Sequence, residues 1–360
     1  MTTTVRGGSV VAVTGSSGAL GSGVVRRLAA LPRGSVRRVV AIDTAPADEP
    51  WPARVHERVV DVRDAMLSGV FDGADVVVHL AGLHRPGADP DLRREVNVRG
   101  TESVLLAAVA AEVSRVVLVT SAMVYGALPD NPVPLTEDAP LRAPRDRSLV
   151  GDFVEVERLV EQLRGARVRP EITVLRPTTL VGPGADSVLT RHFESPRLLV
   201  VRGSTPRWQF CHLADLQEAC VIAATTGLGD GAVNVSPPGW LTQQEVQARS
   251  GRRALEMPAT VATAAAERLH RAGLTLAPSS EIAYLAHPWL VDSSRLHAAG
   301  WRPAYDHAAG LDAQLAVASG HTTVAGRRFG REDATRAAAG ATVALLGTAA
   351  VVRRARRRRR

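Results

Sequence analysis

The stretch VVAVTGSSGALGSGVVRRLAAL, from Val10 to Leu31, reads as a buried strand, a glycine-rich turn and a helix. Its β-branched run ends at Thr14, and apolar residues then recur at helical spacing. Gly15 allows a sharp exit from the strand, Gly18 lets a diphosphate approach the backbone, and Gly21 lets the helix pack close to the strand. The pattern predicts a dinucleotide site in which the first helical amides face phosphates. A generic strand-to-helix turn is the alternative.

The composition is that of a globular protein with a sizeable core. The 360 residues are 45% hydrophobic and 22% charged, which fits one two-lobed unit or two domains. The net charge is +8, but seven arginines lie in Arg353–Arg360, and without them the charge is +1. The body of the chain is therefore nearly neutral. The two cysteines, Cys211 and Cys220, fit a reducing cytoplasm, and the polar start, Met1–Gly8, predicts no signal peptide.

Two further strands are expected to bring acids to the same sheet edge. Arg38–Asp43 reads as a second buried strand, and a carboxylate at its end accepts bonds from ribose hydroxyls and repels a 2′-phosphate, which favours NAD over NADP. The alternative is that Asp43 only caps a turn. Val59–Val62 is predicted as a short third strand, with Asp61 and Val62 at the carboxyl end, where an open α/β sheet binds ligands.

The next strands end in small or hydroxyl-bearing residues. Val76–Gly82 predicts a fourth strand whose small terminal residues leave room for a cofactor. Asp91–Val113 has the length and period of a helix. Val116–Ser121 predicts a fifth strand that delivers two hydroxyls, those of Thr120 and Ser121, to the sheet edge.

Taken in order, these motifs resemble the NAD-dependent epimerase/dehydratase family of extended short-chain dehydrogenases/reductases, which includes UDP-glucose 4-epimerase. The resemblance spans about residues 10–315. The motifs that carry it are TGSSGALG at 14–21, the acid at Asp43, DV at 61–62, HLAG at 79–82, NVRGT at 97–101, TSAMVYG at 120–126, LRPTTLVGPG at 175–184, QFCHLADL at 209–216 and WRP at 301–303.

The resemblance implies a Rossmann-type doubly wound α/β fold with a smaller carboxyl-terminal lobe. We predict an NAD-binding domain over 9–180, completed by sheet elements from about 205–235, a mainly substrate-binding lobe over 181–320, a linker over 321–336 and an apolar helix with an arginine-rich tail over 337–360. The residues predicted to bind NAD are Gly15, Ser16, Ser17, Gly18, Ala19, Leu20, Asp43, Asp61, Val62, Leu80, Ala81, Gly82, Asn97, Thr120 and Pro177. No metal site is predicted.

The catalytic part of the family pattern is incomplete. The resemblance makes Ser121 the hydroxyl that polarises a substrate carbonyl or alcohol, with a Tyr and a Lys four residues apart on the next helix. Those two positions fall on Leu149 and Phe153, and all 44 basic residues of the chain are arginines, so no lysine can take the role. Neither side chain exchanges a proton.

Three nearby residues are candidate substitutes for the missing pair. They are Asp152 beside the vacated positions, His84 after the fourth strand and Tyr125 past the serine. A solvated Asp, a loop His and a packed Tyr are the structural alternatives.

The substrate side also departs from the nucleotide-sugar members that the chain resembles. The position of their substrate-binding Asn is Thr179, and that of a phosphate-binding Arg is Trp208, with Arg207 one residue out of register. No arginine occurs over 272–291, and a diphosphate without guanidinium partners loses its strongest contacts. We expect a pocket lined by aliphatic side chains and Trp208.

Two hypotheses for the function remain open. One is an oxidoreductase or epimerase acting on a sugar-like or small alcohol or carbonyl substrate with a non-standard site. The other is a redox-silent NAD-binding regulatory or scaffold protein. The retained cofactor motifs and Ser121 favour the first, and the missing Tyr and Lys favour the second.

The tail leaves three interpretations open. Ala337–Val352 holds sixteen uncharged residues, about 24 Å as a helix against a hydrocarbon core of ~30 Å. A cytoplasmic tail anchor, an interfacial or protein-docking helix, and a disordered or nucleic-acid-binding arm all fit. Nucleic acid is the least supported partner, because no aromatic residue interleaves the arginines. Homodimerisation is usual in the family.

Overall fold

The fold is taken from a computed structural model. It describes residues 7–165, 170–272 and 279–318, together with two short strands at 322–324 and 327–329. The predicted tail, 337–360, lies outside the described residues. Within those residues no helix combines the length and the apolar character needed to cross a bilayer.

Seven parallel strands form the central sheet, in the order β11-β6-β5-β4-β1-β2-β3. Their bounds are β1 Ser9–Thr14, β2 Val36–Asp43, β3 Val55–Val59, β4 Val76–His79, β5 Arg115–Val119, β6 Glu171–Pro177 and β11 Gly231–Val235. Strands β1 to β6 follow the doubly wound order β3-β2-β1-β4-β5-β6, in which the chain reverses direction across the sheet between β1 and β4. The predicted Rossmann-type fold is confirmed.

Helices cover both faces of the sheet. Those of the amino-terminal part are α1 Ala19–Ala30, α2 Leu67–Val70, α3 Pro90–Arg94, α4 Gly100–Ala110 and α5 Leu149–Gly165, and a π-helical stretch, Glu95–Arg99, joins α3 to α4. The predicted helix over 91–113 is therefore present as one continuous helical run. A 3₁₀ turn, Ala122–Tyr125, follows β5.

The smaller lobe is built from short elements inserted after β6. Its strands are β7 Thr179–Val181, β8 Arg197–Val201, β9 Arg207–Trp208, β10 Phe210–His212, β12 Leu241–Thr242 and β13 Arg253–Met257. Its helices are α6 Val188–Glu194, α8 Gln243–Ser250, α9 Ala259–Arg271, the 3₁₀ helix Ser279–Leu285, α10 Ser294–Ala298 and α11 His307–Ala318. Between them α7, Leu213–Thr225, returns the chain to the main sheet.

Alternation along the strands produces two cores. Val11 and Val13 face α1 and α7, whereas Val10 and Ala12 face α2, α4 and α5. All four side chains have no exposed surface, as expected for strands that are covered on both sides. Cys220 belongs to the first core, and burial raises the pKa of its thiol to about 12.

A third core joins the carboxyl edge of the sheet to the smaller lobe. It contains Tyr125, Phe153 and Tyr284 together with the lobe's aromatic residues. Trp208 was expected to line a pocket, but it is only 1% exposed, packs against Phe193 and donates from its indole N–H to Gln243 (2.8 Å). That expectation is wrong, because the large ring is used to fill the lobe.

Two predicted segments differ from the structure. The third strand begins at Val55 and ends at Val59, so Asp61 and Val62 lie beyond it. This strand lies at the edge of the sheet, and most of its side chains are exposed. It therefore contains no apolar run that would predict a strand. Within the predicted linker, β14 Thr322–Val324 pairs antiparallel with β15 Arg327–Phe329.

We predict that Trp301→Ala lowers the free energy of unfolding by about 3–5 kcal/mol. The Trp301 side chain is fully buried in the first core, and its indole N–H donates to the Asp215 carbonyl (3.0 Å). Trp240→Ala is the matched control, because that ring is 43% exposed, and its effect should stay below about 1 kcal/mol. Urea unfolding measures both; equal losses would contradict the assignment of Trp301 to the core.

Candidate functional site at the carboxyl edge of the sheet

The turn after β1 lies directly against the backbone that leaves β4. Gly15 has φ +70°, and a Cβ there would lie 2.6 Å from the Ala81 nitrogen. A Cβ on Gly21 would lie 2.0 Å from the Gly15 carbonyl oxygen. Side chains at these positions cannot be accommodated, so the two glycines are required by the close approach of three backbone segments.

The amino end of α1 has the properties of an anion site. Ser17, Gly18 and Ala19 are exposed, and no side chain caps the helix. Ser16, in contrast, is buried, with its N–H donating to the Ile42 carbonyl (3.2 Å). The first amides of a twelve-residue helix are thus left without a side-chain acceptor at the positive end of its dipole.

Asp43 lies beside this turn, as its position at the end of β2 predicted. Its carboxylate accepts hydrogen bonds from the Ser17 N–H (2.8 Å) and from the Thr44 N–H (2.7 Å). The Thr44 hydroxyl also donates to Oδ1 (3.4 Å). The side chain is partly exposed, and Oδ2 keeps a lone pair for a further donor. The acid therefore both orders the turn and can accept from a ligand hydroxyl.

Asp61 is engaged with its own neighbour. Arg63 donates to both carboxylate oxygens (3.0 and 2.6 Å), and this bond is the main cause that lowers the pKa of Asp61. Val62 is buried and packs toward Gly100, at which a Cβ would lie 2.9 Å from it. The structure places both residues after β3, next to the Asp43 strand.

A chain of hydrogen-bonded, buried side chains lies beneath the carboxyl edge of the sheet. The Thr14 hydroxyl lies 2.7 Å from His79 Nδ1, and His79 Nε2 lies 3.0 Å from the Thr101 hydroxyl. Thr101 donates to the Asn97 carbonyl, so its oxygen accepts from Nε2–H, and Nδ1 accepts from Thr14. The Thr14 oxygen then accepts from the Leu80 and Ala81 amides (3.3 and 3.4 Å).

The polar chain holds the exit of β4 in a fixed conformation. Burial lowers the pKa of His79 to about 3, so its imidazole is neutral and has one donor and one acceptor nitrogen. Asn97 continues the support: its side-chain oxygen accepts from the Leu83 N–H (2.8 Å), and its amide donates to the Leu83 carbonyl (3.3 Å). Asn97 therefore positions the segment that contains Gly82.

A second buried network lies under the end of β5. The Thr120 hydroxyl donates to Glu157 (2.8 Å), and Arg176 donates from Nε to the same carboxylate. Arg176 Nη1 also donates to the Tyr125 hydroxyl (2.7 Å), which donates to Asn234 (2.8 Å). Thr120 thus ties α5 to the sheet, and Pro177 ends β6 within this buried region.

The 3₁₀ turn that follows Ser121 packs against α5, the helix that contains the two vacated family positions. Ser121 caps the 3₁₀ turn, its hydroxyl accepting from the Met123 N–H (3.2 Å). Leu149 begins α5, and Phe153 follows one turn later; both pack in the third core. The ring of His84 lies 5.5 Å from the Phe153 ring and would overlap a Cβ on Gly82.

Two of the candidate substitutes are occupied by protein partners. Asp152 is fully buried and pairs with Arg93 (2.7 Å) and Arg94 (3.5 Å). Tyr125 is fully buried, its hydroxyl is bonded at both ends, and burial raises its pKa. Of the three, only His84 is exposed.

One titratable residue of the site was missed from the sequence. Glu281, in the 3₁₀ helix Ser279–Leu285, is only 9% exposed, and burial raises the pKa of its carboxyl to about 8, assisted by the charge of Asp146. No motif contains it. Only the fold brings this helix to the turn after Ser121, where the Tyr284 hydroxyl donates to the Met123 carbonyl (2.7 Å).

We predict that His79→Ala lowers the free energy of unfolding by at least about 1–3 kcal/mol, because two buried hydroxyls lose their partner. The matched control is His56→Ala, since His56 is exposed. The deficit should shrink as the pH falls from about 6.5, because the native pKa of His79 is depressed and the unfolded imidazole takes up a proton first. Chemical denaturation at several pH values measures this; a pH-independent deficit would contradict it.

We also predict that Glu281→Gln changes the pH dependence of stability. Because the native pKa of Glu281 lies above 4.5, near 8, the folded protein binds more protons than the unfolded chain between those values. The stability of the native sequence relative to Glu281→Gln should fall as the pH rises from about 4.5 to about 8, and then stay level. Glu256→Gln, at an exposed position, should show no such trend in thermal melts.

Comparisons with known proteins agree with this architecture. The sequence model of the NAD dependent epimerase/dehydratase family matches residues 11–236. The uncharacterized protein Rv0501 of Mycobacterium tuberculosis is 31% identical over 305 residues, covering 82% of this chain and 80% of that protein. Short-chain dehydrogenase/reductase family 42E member 1 of Xenopus laevis is 27% identical over 237 residues, covering 62% and 60%.

Solved structures share the fold. UDP-glucose 4-epimerase of Thermus thermophilus, in complex with NAD, has a TM-score of 0.61 at 21% identity and covers 86% of this chain and 99% of its own. The dTDP-glucose 4,6-dehydratase DesIV of Streptomyces venezuelae has a TM-score of 0.63 at 20% identity, covering 85% and 96%. The family model matches most of the sheet, and the chain has the glycine-rich turn and the acid at the end of β2. The chain therefore belongs to the NAD-dependent epimerase/dehydratase family of short-chain dehydrogenases/reductases.

Proposed function

We propose that this protein binds NAD across the carboxyl edge of its sheet. The observation that carries the proposal is the uncapped amino end of α1 beside the Asp43 carboxylate, with Ser17 linking the two through a 2.8 Å hydrogen bond. The amides of the turn would hold the diphosphate, and Asp43 would accept from the adenosine ribose and disfavour a 2′-phosphate. Leu80, Ala81 and Gly82 supply the opposite backbone wall.

The residues predicted from the sequence divide into two groups by their role. Ser17, Gly18, Ala19, Leu20 and Asp43 have atoms at the accessible face of the edge and would contact NAD. The side chains of Ser16, Val62, Asn97 and Thr120 are buried and would support the site through the contacts described above. Substitutions in the second group should therefore act through the shape of the edge.

The reaction class we propose is oxidation–reduction, or epimerisation through it, at an alcohol or carbonyl carbon. NAD, when bound, supplies the hydride acceptor or donor. Ser121, at the end of β5, would orient the substrate oxygen through its hydroxyl. Leu149 and Phe153, in the positions of the family's Tyr and Lys, give this site an apolar wall where relatives have a proton-exchanging pair.

A sugar-like or small alcohol or carbonyl compound fits this site better than a nucleotide diphosphate sugar. Three arginines of the smaller lobe are held by the protein itself: Arg249 pairs with Asp312 (2.7 Å), Arg252 donates to the Glu194 carbonyl (2.9 Å), and Arg295 donates to the Ala232 carbonyl (2.7 Å). These guanidinium groups are therefore engaged before any phosphate arrives.

A second candidate function is favoured by the same apolar wall. With Leu149 and Phe153 in the catalytic positions, the protein could bind NAD without turning it over and act as a regulatory or scaffold component. Turnover distinguishes the candidates. Formation or loss of NADH absorbance with sugars, small alcohols or their ketones supports the oxidoreductase, and NAD binding without turnover across the panel supports the redox-silent protein.

We predict that isothermal titration detects NAD binding, and that Asp43→Ala weakens it roughly 10- to 100-fold, as expected from the loss of about 1–3 kcal/mol of hydrogen bonding to a charged acceptor. The same substitution should narrow the preference for NAD over NADP, since the repulsion of the 2′-phosphate is lost. Asp48→Ala, at an exposed position five residues later, is the control. Absence of any NAD or NADH binding by the intact chain would refute the proposed function.

A further inference from the structure

Tyr284 fastens the 3₁₀ helix Ser279–Leu285 to the candidate catalytic segment. Its hydroxyl donates to the Met123 carbonyl (2.7 Å), and Met123 lies two residues after Ser121. The ring is 3% exposed and packs edge-on against Trp289 at 5.5 Å. This helix is therefore a wall of the same site, although it is distant in sequence from every motif of the family.

Glu281 lies three residues, one 3₁₀ turn, before this tyrosine, so the two side chains lie on the same face of the helix. That is the face from which Tyr284 reaches the segment after Ser121. The charges that act on the Glu281 carboxyl are those of Asp146, three residues before Leu149, and of Arg93, which pairs with Asp152 at 2.7 Å.

The Glu281 carboxyl is buried but not used by the fold. Within the part of the chain that the structure describes, the Glu281 carboxyl makes no hydrogen bond. Its oxygens are not fully enclosed by the protein. It is 9% exposed. A structural acid of comparable burial is bonded, as Glu157 is to Thr120 and Arg176. The Glu281 carboxyl can therefore exchange hydrogen bonds with a small molecule that reaches it.

We propose that the Glu281 carboxyl exchanges the proton of the substrate oxygen, in place of the phenol that is absent from position 149. This inference rests on the proposed oxidoreductase function and names the residue that completes it. In the reducing direction bound NADH would supply a hydride to the carbonyl carbon; the C=O π electrons would then form an O–H bond with the Glu281 proton, leaving Glu281 as a carboxylate. In the oxidising direction the hydroxyl proton passes to the carboxylate while the hydride leaves carbon for the oxidised nicotinamide.

The acidity of Glu281 suits proton exchange close to neutral pH. A proton carrier works best when its pKa is near the working pH, and burial raises the pKa of Glu281 to about 8. The charged groups that act on Glu281 are Asp146, which disfavours its carboxylate, and Arg93, which favours it. The charged side chains of α9, which packs on the same helix, are exposed.

The test compares the full-length protein with Glu281→Gln, Glu281→Asp and, as control, Glu256→Gln. NADH absorbance is followed with a panel of sugars, small secondary alcohols and their ketones, and NADH affinity and melting temperature are measured for each variant. We expect Glu281→Gln to lower kcat roughly 100-fold or more with unchanged NADH affinity. We expect Glu281→Asp to recover part of kcat, and reduction by the native sequence to fall above about pH 8.

The possible failures are distinct. Turnover by Glu281→Gln within about threefold of the native rate, with the same pH profile, overturns the role of Glu281 and leaves the oxidoreductase function standing. A native protein that binds NADH but turns over nothing on the panel overturns the oxidoreductase function and this role with it. A third result is that both Glu281 variants bind NADH more weakly or melt at a lower temperature, while their residual turnover keeps the native pH profile. That result makes the residue structural and also overturns the proposal.

Discussion

The structure depends on the close approach of three backbone segments at the carboxyl edge of the sheet. The turn after β1 crosses the exit of β4 so tightly that a Cβ on Gly15 would lie 2.6 Å from the Ala81 nitrogen. Gly21 brings α1 against the same turn. This contact leaves the amino end of a helix exposed and uncapped, and the anion site follows from it.

Two buried polar networks keep that edge in shape. The chain from Thr14 through His79 to Thr101 fixes the exit of β4, and the network around Arg176 and Glu157 fixes the end of β5. In both networks each buried polar group has hydrogen-bond partners, and the low dielectric of the interior strengthens these hydrogen bonds. They also explain why residues that a family motif marks as cofactor-binding are buried: the motif preserves the support as well as the contact surface.

The region around Ser121 lacks the Tyr–Lys pair that the family resemblance implies. Relatives of the kind that the sequence resembles place a phenol and an ammonium on the helix after Ser121; here Leu149 and Phe153 pack into the third core. Without the phenol the site has no proton carrier at this position, and without the ammonium it lacks the charge that would lower the pKa of that phenol. In the role that we propose for Glu281, burial raises the pKa of a carboxyl, whereas a cation would lower the pKa of a phenol.

The sequence by itself determined the sheet, the glycine-rich turn, the acid at Asp43 and the loss of the Tyr–Lys pair, because these depend on residues close together in the chain. It misplaced the third strand, whose exposed side chains carry no apolar signal, and it put Trp208 in a pocket although the lobe buries it. Only the tertiary structure decided that Asp152 and Tyr125 are occupied and that the helix of Glu281 and Tyr284 is bonded to the segment after Ser121. Those facts rest on contacts between segments more than fifty residues apart, and no local pattern records such contacts.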